Sequence, residues 1–181
     1  HRESVMLSLD RNGRLLVLSV FLAALIHPPY SWSQSEASKV GYQEAQIKAA
    51  FLFRLPKFIR WPDGRTASHF CFAEQSDVST TFSSLARASG PDTEVTIVSD
   101  VSEVPEAQCD VLFNAPSSWG DPTDVTLLVS DTKNSAQNGG MIEFARSGSR
   151  LQLLVNLQSM KSMELQPNSQ LLKLSTLVGG S

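Results

Sequence analysis

Apolar and polar positions change their period along the chain, and each change marks an element. From Gln43 to Trp61 apolar residues recur at helical spacing. At 100° per residue, Phe51, Leu52, Leu55, Phe58 and Ile59 gather on one face, while Arg54, Lys57 and Arg60 collect on the other. This predicts an amphipathic helix over 43–61. HFCFAE (69–74) is a short apolar run of strand type, and DVSTTFSSLARAS (77–89) is a helix closed by Gly90-Pro91. TEVTIVS (93–99), CDVLFNA (109–115) and DVTLLVS (124–130) are further strands joined by loops or brief helices. Strands alternating with helices predict an α/β fold, a mostly parallel sheet flanked by helices. GGMIEFARSGSRLQLLVN (139–156) breaks the alternation. Its two strands around Ser147-Gly148-Ser149 predict a late antiparallel hairpin, so the sheet is mixed. Two helical segments follow, LQSMKSM (157–163) and SQLLKLSTLV (169–178), the second behind a Pro167-Asn168 start signal. With 181 residues, 41% of them hydrophobic, the chain is sized for one core and a single domain.

The first 33 residues stand apart. Arg2, Arg11 and Arg14 precede LLVLSVFLAALI, an uncharged run short for a bilayer span, followed by HPPY and small residues. The pattern is that of a secretory signal peptide cleaved before Gln34; an uncleaved anchor is the alternative. A polar leader then covers 34–42, and the α/β domain 43–181. From residue 34 onward, 12 Lys and Arg face 16 Asp and Glu, a formal charge of −4, which argues against nucleic acid as a partner. The expected location is an exported, periplasm-like compartment. There Cys71 and Cys109, both in apolar strand-type runs, are favoured to pair; two buried free thiols are the alternative.

Catalytic chemistry is poorly supplied. His69 is the one histidine beyond the leader, which leaves no zinc cluster and a single candidate base for a nucleophile. No G-x-S-x-G, Walker or dinucleotide glycine motif occurs. Gly139-Gly140 precedes a strand, not a helix, so it suits a tight turn better than a phosphate cradle. Asp100, Asp131 and Glu143 fall near strand ends without defining an acid and base pair. The inventory predicts a binding protein without cofactor or metal, not an enzyme.

AFLFRLPKFIRWP (50–62) resembles the helix-to-Trp-Pro segment of the YfiR-like proteins. The resemblance continues through Cys71 in the first strand, Cys109 before VLF, VSD at 129–131, GGMIEF at 139–144 and NSQLLKLSTLV at 168–178, in order. It implies a periplasmic α/β repressor that binds the sensor domain of an inner-membrane diguanylate cyclase and is itself sequestered by an OmpA-like outer-membrane lipoprotein. Control of cyclic di-GMP and biofilm would follow indirectly. Carried over by position, Cys71 and Cys109 become the family's structural disulfide, and Gly139, Gly140 and Met141 the turn into the late hairpin. Two departures stand out. Pro56 replaces an expected small helix former, and AEQSD (73–77) lacks the glycine expected after the first strand. A second cysteine pair found in some members is absent.

Phe53 and Trp61 fall on the cationic side of the predicted helix, a composition common at interfaces. The expected partner surface is therefore Phe53, Arg54, Lys57, Arg60 and Trp61, together with the Gly139-Gly140-Met141 turn; folding of both rings onto the domain is the bland alternative. Aromatic surfaces of this kind also self-associate, which adds a homodimer to the expected partners. The competing functional class is a periplasmic small-molecule-binding protein linked to transport or sensing, with its cleft at the strand C-terminal ends.

Overall fold

A computed structural model describes residues 33–120 and 125–179. The expected signal peptide, up to residue 32, lies outside the described residues. The polar leader is not a separate segment: α1 runs from Ser33 to Arg54 and includes it. The helix also stops earlier than its periodicity suggested. Pro56 has no backbone N–H and crowds the turn before it. It therefore ends α1, instead of kinking a longer helix, and Leu55–Phe58 continue as a 3₁₀ turn. Ile59–Arg60 then turn extended as β1.

The chain next lays down β2 (His69–Phe72), α2 (Asp77–Ser89), β3 (Glu94–Ile97), α3 (Glu103–Ala107), β4 (Val111–Phe113) and β5 (Leu127–Ser130). Then come β6 (Ile142–Ser147), β7 (Arg150–Asn156), α4 (Leu157–Ser162), β8 (Gln166–Pro167), α5 (Ser169–Leu174) and β9 (Ser175–Val178). Seven strands form one sheet in the order β3-β2-β4-β5-β6-β7-β9. All neighbours are parallel except β6 and β7, the expected hairpin. The last segment departs from expectation. Its helix ends at Leu174, and Ser175–Val178 join the sheet edge beside β7, where Thr176 and Val178 suit the extended backbone.

Local chemistry explains the boundaries. Ser76 and Ser79 form a reciprocal capping box that starts α2, and Gly90 ends it at φ +116°. The Asn168 side chain accepts hydrogen bonds from the backbone N–H of Gln170 and Leu171 and so starts α5. Its own N–H donates to Phe58 O at 2.8 Å, and β8 pairs antiparallel with β1, so the C-terminal region clasps the end of the α1 segment. Asp110, 8% exposed, accepts from the Ser68 and His69 N–H groups and from Arg65 Nε, which ties the starts of β2 and β4 together.

Strand alternation divides the apolar residues between two faces. Phe70, Phe72, Val111, Phe113, Leu127, Val129, Ile142 and Phe144 pack with Ala49 and Leu52 of α1, Phe82 of α2, Met160 and Leu171 in the main core. On the opposite face, Cys71, Leu112 and Cys109 pack with Val98 and Val104 in a smaller cluster. The Cys71–Cys109 disulfide lies inside this second cluster, with its cysteines 0% and 4% exposed. It holds β2 to the start of β4, as the reading of two paired cysteines expected.

Candidate functional site

The segment from α1 to β1 keeps the predicted facing even though it is not one helix. Leu52, Leu55 and Ile59 are buried, and Phe51 and Phe58 are half-buried with their rings stacked at 6.5 Å. Arg54, Lys57 and Arg60 are exposed and form no ion pair among the described residues. Phe53 is half-buried, its ring 5.9 Å from that of Phe82.

Trp61 corrects the expected surface. It is 1% exposed and belongs to the main core. A residue preceding proline is driven to extended backbone. Pro62 does this to Trp61, and once the helical twist stops at β1 the indole turns inward. Arg54, Lys57 and Arg60, unpaired among the described residues, and half-buried Phe53 therefore remain of the expected surface.

The Gly139-Gly140-Met141 turn lies elsewhere, immediately before β6 and beside β5. Met141 is 2% exposed, so its side chain is not presented to a partner either. Gly139 has φ +103°, a backbone conformation that favours glycine. A Cβ on Gly140 would come 2.8 Å from Ser135 O, so close backbone approach requires glycine there. The preceding turns are held from below. Glu143, 2% exposed, accepts the N–H groups of Asn134 and Ala136, both at 3.0 Å. Asn156 donates through Nδ2 to Ala136 O at 2.8 Å.

A polar chain links α1 to the C-terminal ends of β4 and β5. Lys48, 8% exposed, lies 2.7 Å from Glu44 Oε1 and 2.6 Å from Asp131 Oδ2. Asp131 also accepts from Asn114 Nδ2 at 2.8 Å, and Asn114 Oδ1 accepts from Ser130 Oγ and from the Asp131 N–H, both at 2.9 Å. Asn114 adopts φ +58° directly after β4, a conformation that asparagine tolerates better than most residues. Arg146 on β6 pairs with Glu44 on the outer side. Burial alone would push the Glu44 carboxyl up, but hydrogen bonds and charge from Arg146 and Lys48 outweigh it and hold it below its ordinary range.

Sequence reasoning noted Asp131 and Glu143 near strand ends but missed Glu44, Lys48 and Asn114. One signal was present. Lys48 falls between Ala45, Ala49 and Leu52, all buried, so a cation on the apolar side of the helix had to find a buried partner. His69 is occupied structurally, its Nε2 2.8 Å from Thr96 Oγ1. Among the described residues no group of three His, Cys, Asp or Glu side chains could hold a metal ion.

These features define a mixed α/β domain with a disulfide across its second apolar cluster and an exposed cationic segment after α1. The family model described as YfiR/HmsC-like matches residues 45–176, and the chain belongs to that family. A search of curated proteins gave no match. Two solved structures are among those to which the chain is similar. One is the ABC domain of Streptococcus pneumoniae in complex with L-Trp, 12% identical, with a TM-score of 0.48 over 75% of this chain and 60% of that one. The other is a conserved domain protein of Vibrio cholerae, 9% identical, with a TM-score of 0.45 over the same shares. This chain thus spans 60% of the length of each. No helix among the described residues is long and apolar enough to cross a membrane.

Proposed function

We propose that the protein is a periplasmic regulator that acts by binding. It holds the periplasmic sensor domain of an inner-membrane diguanylate cyclase in its inactive arrangement and so lowers cyclic di-GMP. The observation that carries this reading is the YfiR/HmsC-like match over residues 45–176. Arg54, Lys57 and Arg60, exposed and unpaired among the described residues, with Phe53 beside them, supply a contact surface of suitable composition on a domain that is otherwise acidic. Repression requires differential affinity, because a partner bound equally well in both states shifts nothing. An OmpA-like outer-membrane lipoprotein that competes for the same protein would relieve the repression. The domain carries no catalytic step in this scheme.

Deleting the gene in its native host and measuring cyclic di-GMP tests the reading. Loss of the protein raises cyclic di-GMP and biofilm mass, and re-expression restores both. Unchanged nucleotide levels in the deletion strain would reject the regulatory role.

A further inference from the structure

The two faces of the sheet are covered unequally. α1, α2, α4 and α5 contribute to the main core on one face. On the other, α3 packs near Cys71 and Leu112, but no helix lies between β5 and β6. A 3₁₀ turn at Ser117–Trp119 and the turn-rich segment 131–140 take the place of a covering helix. Between them lies a cavity of about 550 Å³, within the range of small-molecule sites.

Its floor follows from register. Leu112 on β4 and Leu128 on β5 are direct partners in the sheet, both line the cavity, and Leu128 is half-buried. The position also matters. β2 continues into α2, which packs on the main-core face, whereas the chain after β4 packs Trp119 on the opposite face. The C-terminal ends of β2 and β4 therefore flank the switch point of the sheet, where α/β folds leave a ligand crevice.

The walls show what the crevice would take. Lys133, Ser135 and Asn138 line one side. Lys133 is exposed and has no ion-pair partner among the described residues. Among the described residues Ser135 Oγ is buried without a hydrogen-bond partner, an arrangement that calls for a polar group opposite it. Glu143 and Asn156 hold the backbone of this wall from behind, at Asn134 and Ala136. Among the described residues Glu74, exposed, is the one acidic residue on the lining and disfavours a second negative charge.

We propose that this cavity binds a small carboxylic acid with an apolar body, the body resting on Leu112 and Leu128 and the carboxylate meeting Lys133, Ser135 and Asn138. The site stands independently of any protein partner, so failure of the regulatory reading leaves it intact.

The test titrates the chain from Gln34 onward with hexanoate, benzoate, phenylacetate and 3-phenylpropionate, and with phenylacetamide as the neutral counterpart, by calorimetry and amide-resolved NMR. At least one carboxylate binds saturably at one site, with shifts centred on residues 112–117 and 132–140, and phenylacetamide binds more weakly than phenylacetate. Lys133→Ala, at an exposed position, weakens binding roughly tenfold, the equivalent of one charge-assisted hydrogen bond. Ala115→Phe, which fills the cavity from its wall, abolishes it while the circular dichroism spectrum stays native. No saturable binding by any of the acids, shifts centred elsewhere, or Lys133→Ala binding as tightly as the parent would overturn the proposal.

Discussion

Lys48 of α1 and Asp131 after β5 meet at 2.6 Å although 83 positions separate them in the chain. The contact fastens α1 to the C-terminal end of the central strands, and both charges are largely withdrawn from water. Lys48→Met leaves Glu44 and Asp131 without their shared cation. A loss of about 2 kcal/mol is expected, because truncating one partner strands the other. Urea denaturation measures it, and in a double-mutant cycle Asp131→Asn costs less in the Lys48→Met background than in the parent.

Acid should loosen the same junction. The Glu44 carboxyl titrates below its ordinary value of 4.5 in the folded protein, despite burial, because Arg146 and Lys48 stabilise its anion. A depressed folded value means that the stabilisation is complete above the unfolded value and is lost as pH falls through the folded one. Stability therefore drops as pH falls below about 4.5. In Glu44→Gln that part of the acid dependence flattens, which thermal melts across pH 3–7 would reveal.

The disulfide contributes through the unfolded chain. Cys71 and Cys109 are 38 positions apart, and closing such a loop is worth about 4 kcal/mol in the chain-entropy model. Cys71→Ala with Cys109→Ala should lower the urea midpoint by a corresponding amount. Both positions remain in the small apolar cluster with Val98, Val104 and Leu112, so the native circular dichroism spectrum is retained in the absence of denaturant.

Gly140 is a stricter position than its neighbour in the turn. A methyl group there would meet the Ser135 carbonyl oxygen at 2.8 Å, and that oxygen already accepts the Gly140 N–H. Gly140→Ala must displace the 132–140 turns. Faster amide exchange at Asn134 and Ala136, whose N–H groups Glu143 holds, is the expected signature, with a lowered melting temperature.

Much of the fold was legible because period and punctuation agree. The β2–β5 runs, the α2 helix closed by Gly90-Pro91 and the Ser147-Gly148-Ser149 hairpin all occur as expected. Legibility failed where tertiary context decided. STLV at 175–178 continues a helical pattern but finds an open sheet edge beside β7. Trp61 continued the cationic side only while a helix was assumed, and Pro56 and Pro62 remove that assumption. The Lys48–Asp131–Asn114 chain was illegible because its members come from three distant elements, and the buried cation on α1 was its single trace.

The most direct test of the account is recovery of partners from crosslinked cell envelopes with the C-terminally tagged chain, alongside Arg54→Glu combined with Lys57→Glu. These side chains are exposed and unpaired among the described residues, so the doubly reversed protein should fold as the parent does. The account predicts that the parent recovers an inner-membrane protein bearing a diguanylate cyclase domain, and that charge reversal reduces recovery at least tenfold. Recovery of no cyclase by the parent, or equal recovery by the reversed variant, would contradict it.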